Sequence, residues 1–161
     1  MYPGMAYPSG YRCKRRNETV PLKLDLKSGD KLVINGAVVE NVGPNAKLLV
    51  HNESAILREK EILSVADTST PAARVYFALQ CAYMFPQKKE EYIDVFRGFL
   101  REYVVACPSA EGIADEIDHE VTHGILYKAL KKTQKLINHE GEILQHLEHD
   151  LSDDVEEQVD A

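Results

Sequence analysis

Three cysteines, Cys13, Cys81 and Cys107, are odd in number and widely spaced, and they fit neither a disulfide framework nor a zinc knuckle. No stretch approaches the roughly 18 consecutive apolar residues of a membrane span, and the N-terminal residues lack the apolar core of a secretion signal. The P-loop, the G-x-G-x-x-G dinucleotide fingerprint and the Ser/His/Asp and Cys/His signatures of nucleophilic catalysis are all missing. Positive charge is not in excess either. Nineteen Lys and Arg face 26 Asp and Glu, a net charge of −7, which argues against a protein that grips nucleic acid over its whole surface. These absences lead to the expectation of a cytoplasmic protein with no membrane contact and no cofactor. Only 7 Pro and 9 Gly interrupt 161 residues that are 44% hydrophobic, so the chain can bury a core. Its length suits one compact domain, or a small β module with a helical module packed on it.

The β signals lie between residues 20 and 63. Leu22, Leu24 and Leu26 alternate with Lys23, Asp25 and Lys27, the period of two that gives a strand one buried and one wet face. Ser28-Gly29-Asp30 supplies a turn before Lys31-Leu32-Val33-Ile34. Asn35-Gly36 is a strong hairpin signal because both residues tolerate positive φ, so Ala37 to Val42 should return antiparallel. Gly43-Pro44-Asn45 breaks the chain, Ala46 to His51 forms a fourth run, and Ala55-Ile56-Leu57 a short fifth. The expected fold class is α+β: an N-terminal antiparallel β-meander of about five strands, followed by about four amphipathic helices.

The helical module is expected over residues 71–150. Thr70-Pro71 places an N-cap and an N1 proline before a helix striped by Val75, Leu79 and Ala82 and stopped by Pro86. A second helix runs from Lys88 to about Ala106, with Tyr92, Phe96, Phe99, Leu100 and Tyr103 on one face. Ser109 is read as the cap of a third helix lined by Ile113, Ile117 and Val121. Gly124 separates it from a fourth, Ile125 to about His149. Residues 151–161, with five acids and no base, are expected to be a disordered acidic tail, and residues 1–19 a disordered leader.

The phrases LKLDLKSGDKLVINGAVVENV, AILREKEIL, TPAARVYFALQCAY and YKALKKTQKLINHE, in that order from about Pro21 to about Leu147, resemble the FlbT family of flagellum biosynthesis repressors. The resemblance implies a post-transcriptional regulator that associates with the 5′ untranslated leader of flagellin mRNA and promotes its degradation. It also implies a functional link to a FlaF-type flagellar regulator. Because the likeness starts at Val20-Pro21, where relatives start with methionine, residues 1–19 are read as a mis-assigned start ahead of a nucleic-acid arm built on Arg12, Lys14, Arg15 and Arg16. Within Leu22 to Leu63 the alternation, the glycine turn and the A-I-L-R-E close are also weakly similar to the carbon storage regulator CsrA, another mRNA-leader binder. Arg58 falls at that pattern's functional arginine and Lys27 at a second basic position. Asp25 and Leu26 stand where the pattern has threonine and arginine, so the same groove does not carry over.

Charge distribution points the same way. Residues 20–70 carry six bases and seven acids, whereas residues 71–150 carry nine and thirteen. RNA contact is therefore expected on the β module, through Arg58, Lys27 and Lys23, with Lys31, Lys47 and Lys60 in support. For each lysine alone, a solvated strand face is the plainer reading. A protein-interaction module acting through the helices, with a FlaF-type partner and without direct RNA binding, is the alternative. The sequence leaves open whether the β modules pair into a homodimer.

His119-Glu120-Val121-Thr122-His123 satisfies H-E-x-x-H, in which two histidines one turn apart hold zinc and the glutamate activates water. At about 100° per residue, however, Ile113, Ile117 and Val121 define the buried face and both histidines point away from it, beside Asp115 and Glu116. The motif is read as a chance match, with no metal on His119, Glu120 or His123 and no enzyme behind it.

Overall fold

The structure, a computed structural model, describes the backbone of residues 21–157 and the side chains of residues 21–147. The leader over residues 1–19, the basic residues within it and the last four residues of the chain lie outside the described residues. Five strands come first: β1 (Leu22–Leu26), β2 (Lys31–Ile34), β3 (Ala37–Glu40), β4 (Ala46–Val50) and β5 (Ile56–Arg58). Four helices follow: α1 (Pro71–Met84), α2 (Lys89–Ala106), α3 (Glu111–Thr122) and α4 (Leu126–Glu157). The α+β class is as expected, and every strand pair is antiparallel.

Pairing follows chain order only in the β2–β3 hairpin, where Asn35 (φ 49°) and Gly36 (φ 86°) form the turn. β1 pairs with β4 in a two-stranded sheet, and β3, β2 and β5 form a three-stranded sheet in that order. The turn after β1 sends the chain into a second layer. Asp30 accepts a hydrogen bond from Lys27 N–H at 2.8 Å, and Asn41 Nδ2 donates to the carbonyls of Leu26 (3.2 Å), Lys27 (3.0 Å) and Pro44 (2.8 Å), holding the two layers at one corner.

Alternation covers β2 and β5 of the three-stranded sheet on both sides, while Val38 on the edge strand β3 stays exposed. Leu32 and Ile56 meet Leu24 and Leu26 of the other sheet in one cluster, while Val33 and Leu57 project the opposite way into the helical core. That core is built from Val75, Leu79, Phe96, Leu100, Ile117, Leu130 and Leu136 on all four helices. Paired polar contacts fix the β layers to α1. Gln80 hydrogen-bonds both the N–H and the C=O of Leu63 at 2.9 Å, and the Tyr83 hydroxyl accepts from Ile56 N–H at 3.1 Å.

Helix ends follow their chemistry. Thr70 Oγ1 accepts from Ala73 N–H at 3.2 Å, with Pro71 in the first turn. Ser109 does not cap α3. It lies in a 3-10 turn, Pro108–Ala110, with its hydroxyl 3.2 Å from His139 Nε2, and α3 begins at Glu111. Gly124 (φ 75°) ends the next turn in a Schellman arrangement, with Gly124 N–H on Val121 O and Ile125 N–H on Glu120 O, each at 2.9 Å. α4 continues to Glu157, through the first part of the segment expected to be a disordered tail. No proline or glycine follows Gly141 to stop it.

Candidate nucleic-acid interface

Arg58 is the last residue of β5 and pairs across the ladder with Leu32. Directly paired residues share a face, so Arg58 projects to the side where β1 ends. There the ends of three strands converge on an open cleft of about 430 Å³, lined by Leu26, Lys27, Asp30, Lys31, Arg58, Glu59 and Lys60. Four cations face two carboxylates. Both carboxylates are partly committed: Asp30 to Lys27 N–H, and Glu59 to Lys31 Nζ at 3.9 Å. Among the described residues the Arg58 guanidinium forms no ion pair and no hydrogen bond.

Of the six expected contact residues, Arg58, Lys27, Lys31 and Lys60 are brought together. Lys23 and Lys47 are not. They lie on the outer face of the β1–β4 sheet, Lys23 opposite Leu49 and Lys47 opposite Asp25, which sets a charge pair on that face. Lys27 was expected to share the outer face of the first strand with Lys23, but β1 ends at Leu26, and the Asp30 carboxylate bends the chain so that Lys27 joins the cleft. Leu26, standing where the carbon storage regulator pattern has arginine, is buried at the cleft floor.

Behind the cleft stands a residue that pattern reading passed over. Glu61 Oε2 accepts from Arg58 N–H at 2.9 Å, while its other oxygen accepts from Tyr127 Oη at 3.2 Å and from Lys131 Nζ, both on α4. Its backbone carbonyl accepts from Tyr76 Oη on α1 at 2.6 Å. Burial works to raise the Glu61 carboxyl, but the hydrogen bonds from Lys131 and Arg58 N–H and the Lys131 charge outweigh it and hold the group below its ordinary range. Burial, reinforced by the Glu61 charge, pushes Tyr76 up to about 12. The sequence signal was a glutamate three residues after Arg58, the spacing at which a carboxylate reaches back to a backbone N–H.

H-E-x-x-H divides between two sides of α3. His119 and His123 are exposed, their ring centroids 4.2 Å apart. Glu120 is buried and turned toward α4, where Lys128 Nζ (2.8 Å) and Lys132 Nζ (2.9 Å) hold it. Their hydrogen bonds push its carboxyl down to about 2. A glutamate fixed in this way cannot activate a water held between the two histidines. Glu140 of α4 caps the start of α1, accepting from Ala72 N–H at 3.0 Å.

Lysines on flexible stems together with one planar guanidinium suit oxyanions, phosphates above all. Among the described residues no aromatic side chain lines the cleft, so stacking by these residues falls to Arg58. Fold and site define a small α+β protein whose β layers end in an open, cation-rimmed cleft. Residues 22–144 match the family model described as "Flagellar protein FlbT". The chain is 36% identical over 135 residues to the "Flagellum biosynthesis repressor protein FlbT" of Caulobacter vibrioides (strain ATCC 19089 / CIP 103742 / CB 15), covering 83% of this chain and 96% of that one. It is 35% identical over 130 residues to a "Probable flagellum biosynthesis repressor protein FlbT" of Caulobacter sp. (strain K31), covering 80% and 99%, and 33% identical over 125 residues to one of Rhodopseudomonas palustris (strain TIE-1), covering 78% and 98%. The chain belongs to the FlbT family. No solved structure matches it. Among the described residues no helix is long and apolar enough to cross a membrane.

Proposed function

We propose that this chain represses flagellum biosynthesis after transcription, by binding the 5′ untranslated leader of flagellin mRNA at the Arg58 cleft and promoting decay of the message. The repressor role is supported by the names of its relatives. RNA contact is supported by one observation: Lys27, Lys31, Arg58 and Lys60, separate in sequence, converge at one strand-end cleft in an otherwise acidic protein. Four cations can neutralise only a few phosphates. Affinity for a single-stranded leader should fall with salt on a log–log slope of about −2 to −3. Specificity is then left to the shape of an unpaired loop and to Arg58 at a base edge. A gel shift with the flagellin leader, alone and with a FlaF-type regulator added, tests this. Arg58→Ala should weaken binding by about 1–3 kcal/mol, and Lys31→Ala and Lys60→Ala should each weaken it more than Lys47→Ala. Equal binding by all four variants would move the contact off the cleft. No binding under either condition would favour a protein-interaction module.

A further inference from the structure

α3 carries five carboxylates and no lysine or arginine, and three of the five are matched by neighbouring helices. Glu116 and Glu120 face Lys128, Lys132 and Lys135 of α4, and Asp118 holds Arg97 Nε of α2 at 3.0 Å. The remaining two, Glu111 and Asp115, are exposed and make no ion pair or hydrogen bond among the described residues. Both border a groove of about 700 Å³ between α2 and α3. It is open because α2 packs mainly on α1, and α3 on α4. Leu100, Val104 and Ala114 line it, and Val105 stands at its edge 83% exposed. Its charged rim also holds Asp94, the Arg97–Asp118 pair and Arg101, whose Nε donates to the Arg97 carbonyl at 3.3 Å. An apolar slot beside three unmatched carboxylates, Asp94, Glu111 and Asp115, against one guanidinium without an ion pair, Arg101, keeps a net negative charge and has the shape of a helix-binding groove.

We infer that the α2–α3 groove binds an amphipathic helix of another protein, one that sets apolar residues against Leu100, Val104 and Val105 and lysines or arginines against Glu111 and Asp115. The net charge of the groove, four carboxylates against two guanidinium groups, disfavours RNA. A second copy of this chain fits poorly, because the lysines of its α4 are already held by Glu61, Glu116 and Glu120. The inference does not depend on the β cleft binding RNA.

A displayed library of randomised peptides of roughly four helical turns, selected on the full chain, tests it. Enriched peptides should carry apolar residues at helical spacing flanked by Lys or Arg. They should lose at least about tenfold in affinity for Val105→Glu and for the Glu111→Lys/Asp115→Lys variant, and none for Val42→Glu on the β module. Circular dichroism checks each fold, and flagellin-leader binding by Val105→Glu should stay at the wild-type level. No enrichment, enrichment of acidic peptides, or binders indifferent to Val105→Glu would overturn the inference. So would a homodimer of the chain that Val105→Glu dissociates, which would make the occupant a second copy.

Discussion

Glu61, which the sequence reading did not single out, and Glu120, which it met only within H-E-x-x-H, are joints between elements. Glu61 links the backbone at Arg58 to α4 through Tyr127 and Lys131. Glu61→Ala removes an acceptor of charge-assisted hydrogen bonds and should lower stability by about 2 kcal/mol in urea denaturation. Both carboxyls titrate lower in the folded chain than in the unfolded one, so folding favours their ionised forms. Their contribution is complete above the ordinary carboxylate value of 4.5 and disappears as pH falls, for Glu120 by about pH 2. Stability should therefore drop between pH 4.5 and 2, and the drop should be smaller in Glu120→Gln. Parallel stability–pH curves for the two proteins would show that the lysine clamp on Glu120 does not exist in solution. Neither joint was legible beforehand, since a carboxylate's partner depends on which helix folds over it, and Lys131 lies 70 positions from Glu61.

Elements were more legible than their pairing. Alternation marked β1, short runs between turn residues marked the other strands, and Asn35-Gly36 marked the hairpin, because these signals are local. Nothing local states that β1 takes β4 as its partner, or that β5 takes β2. That choice follows from burying Leu24, Leu26, Leu32 and Ile56 together, a demand visible only in three dimensions. The same pairing gathers Lys27, Lys31, Arg58 and Lys60, which is why the sequence nominated the residues and could not separate them from Lys23 and Lys47. The boundary of α4 was set too early because acidity was read as disorder, whereas helix continuation needs only the absence of a breaker. Two glycines give opposite predictions. Gly36→Ala forces a side chain into a positive-φ turn, its Cβ 3.5 Å from Phe85, and should cost about 1 kcal/mol. Gly141→Ala, within α4 and with nothing within 4 Å of its Cβ, should stabilise by up to about 1 kcal/mol. Thermal denaturation followed by circular dichroism would register both signs.

Across the whole molecule, the helical core reaches into the three-stranded sheet, while a second, smaller cluster lies between the two sheets. Leu57 of β5 is 1% exposed and packs among the helices, with Val33 beside it. Leu57→Ala should cost about 2–5 kcal/mol, and tyrosine fluorescence and far-ultraviolet dichroism should report one common transition in wild type and variant alike. Two separated transitions would mean that the β layers fold apart from the helices. Leu57 in the helical core and the Glu61 joint together give the cleft a firm backing, so the backbone that carries its cations is held in place. The proposed contact of RNA with this surface is tested by ultraviolet cross-linking of the flagellin leader to the full chain and mass spectrometry of the linked peptides. The account predicts cross-links within the Leu26–Lys31 and Arg58–Lys60 segments that Arg58→Ala diminishes; cross-links confined to Lys88–Lys89 or Lys128–Lys135 on the helices would contradict it.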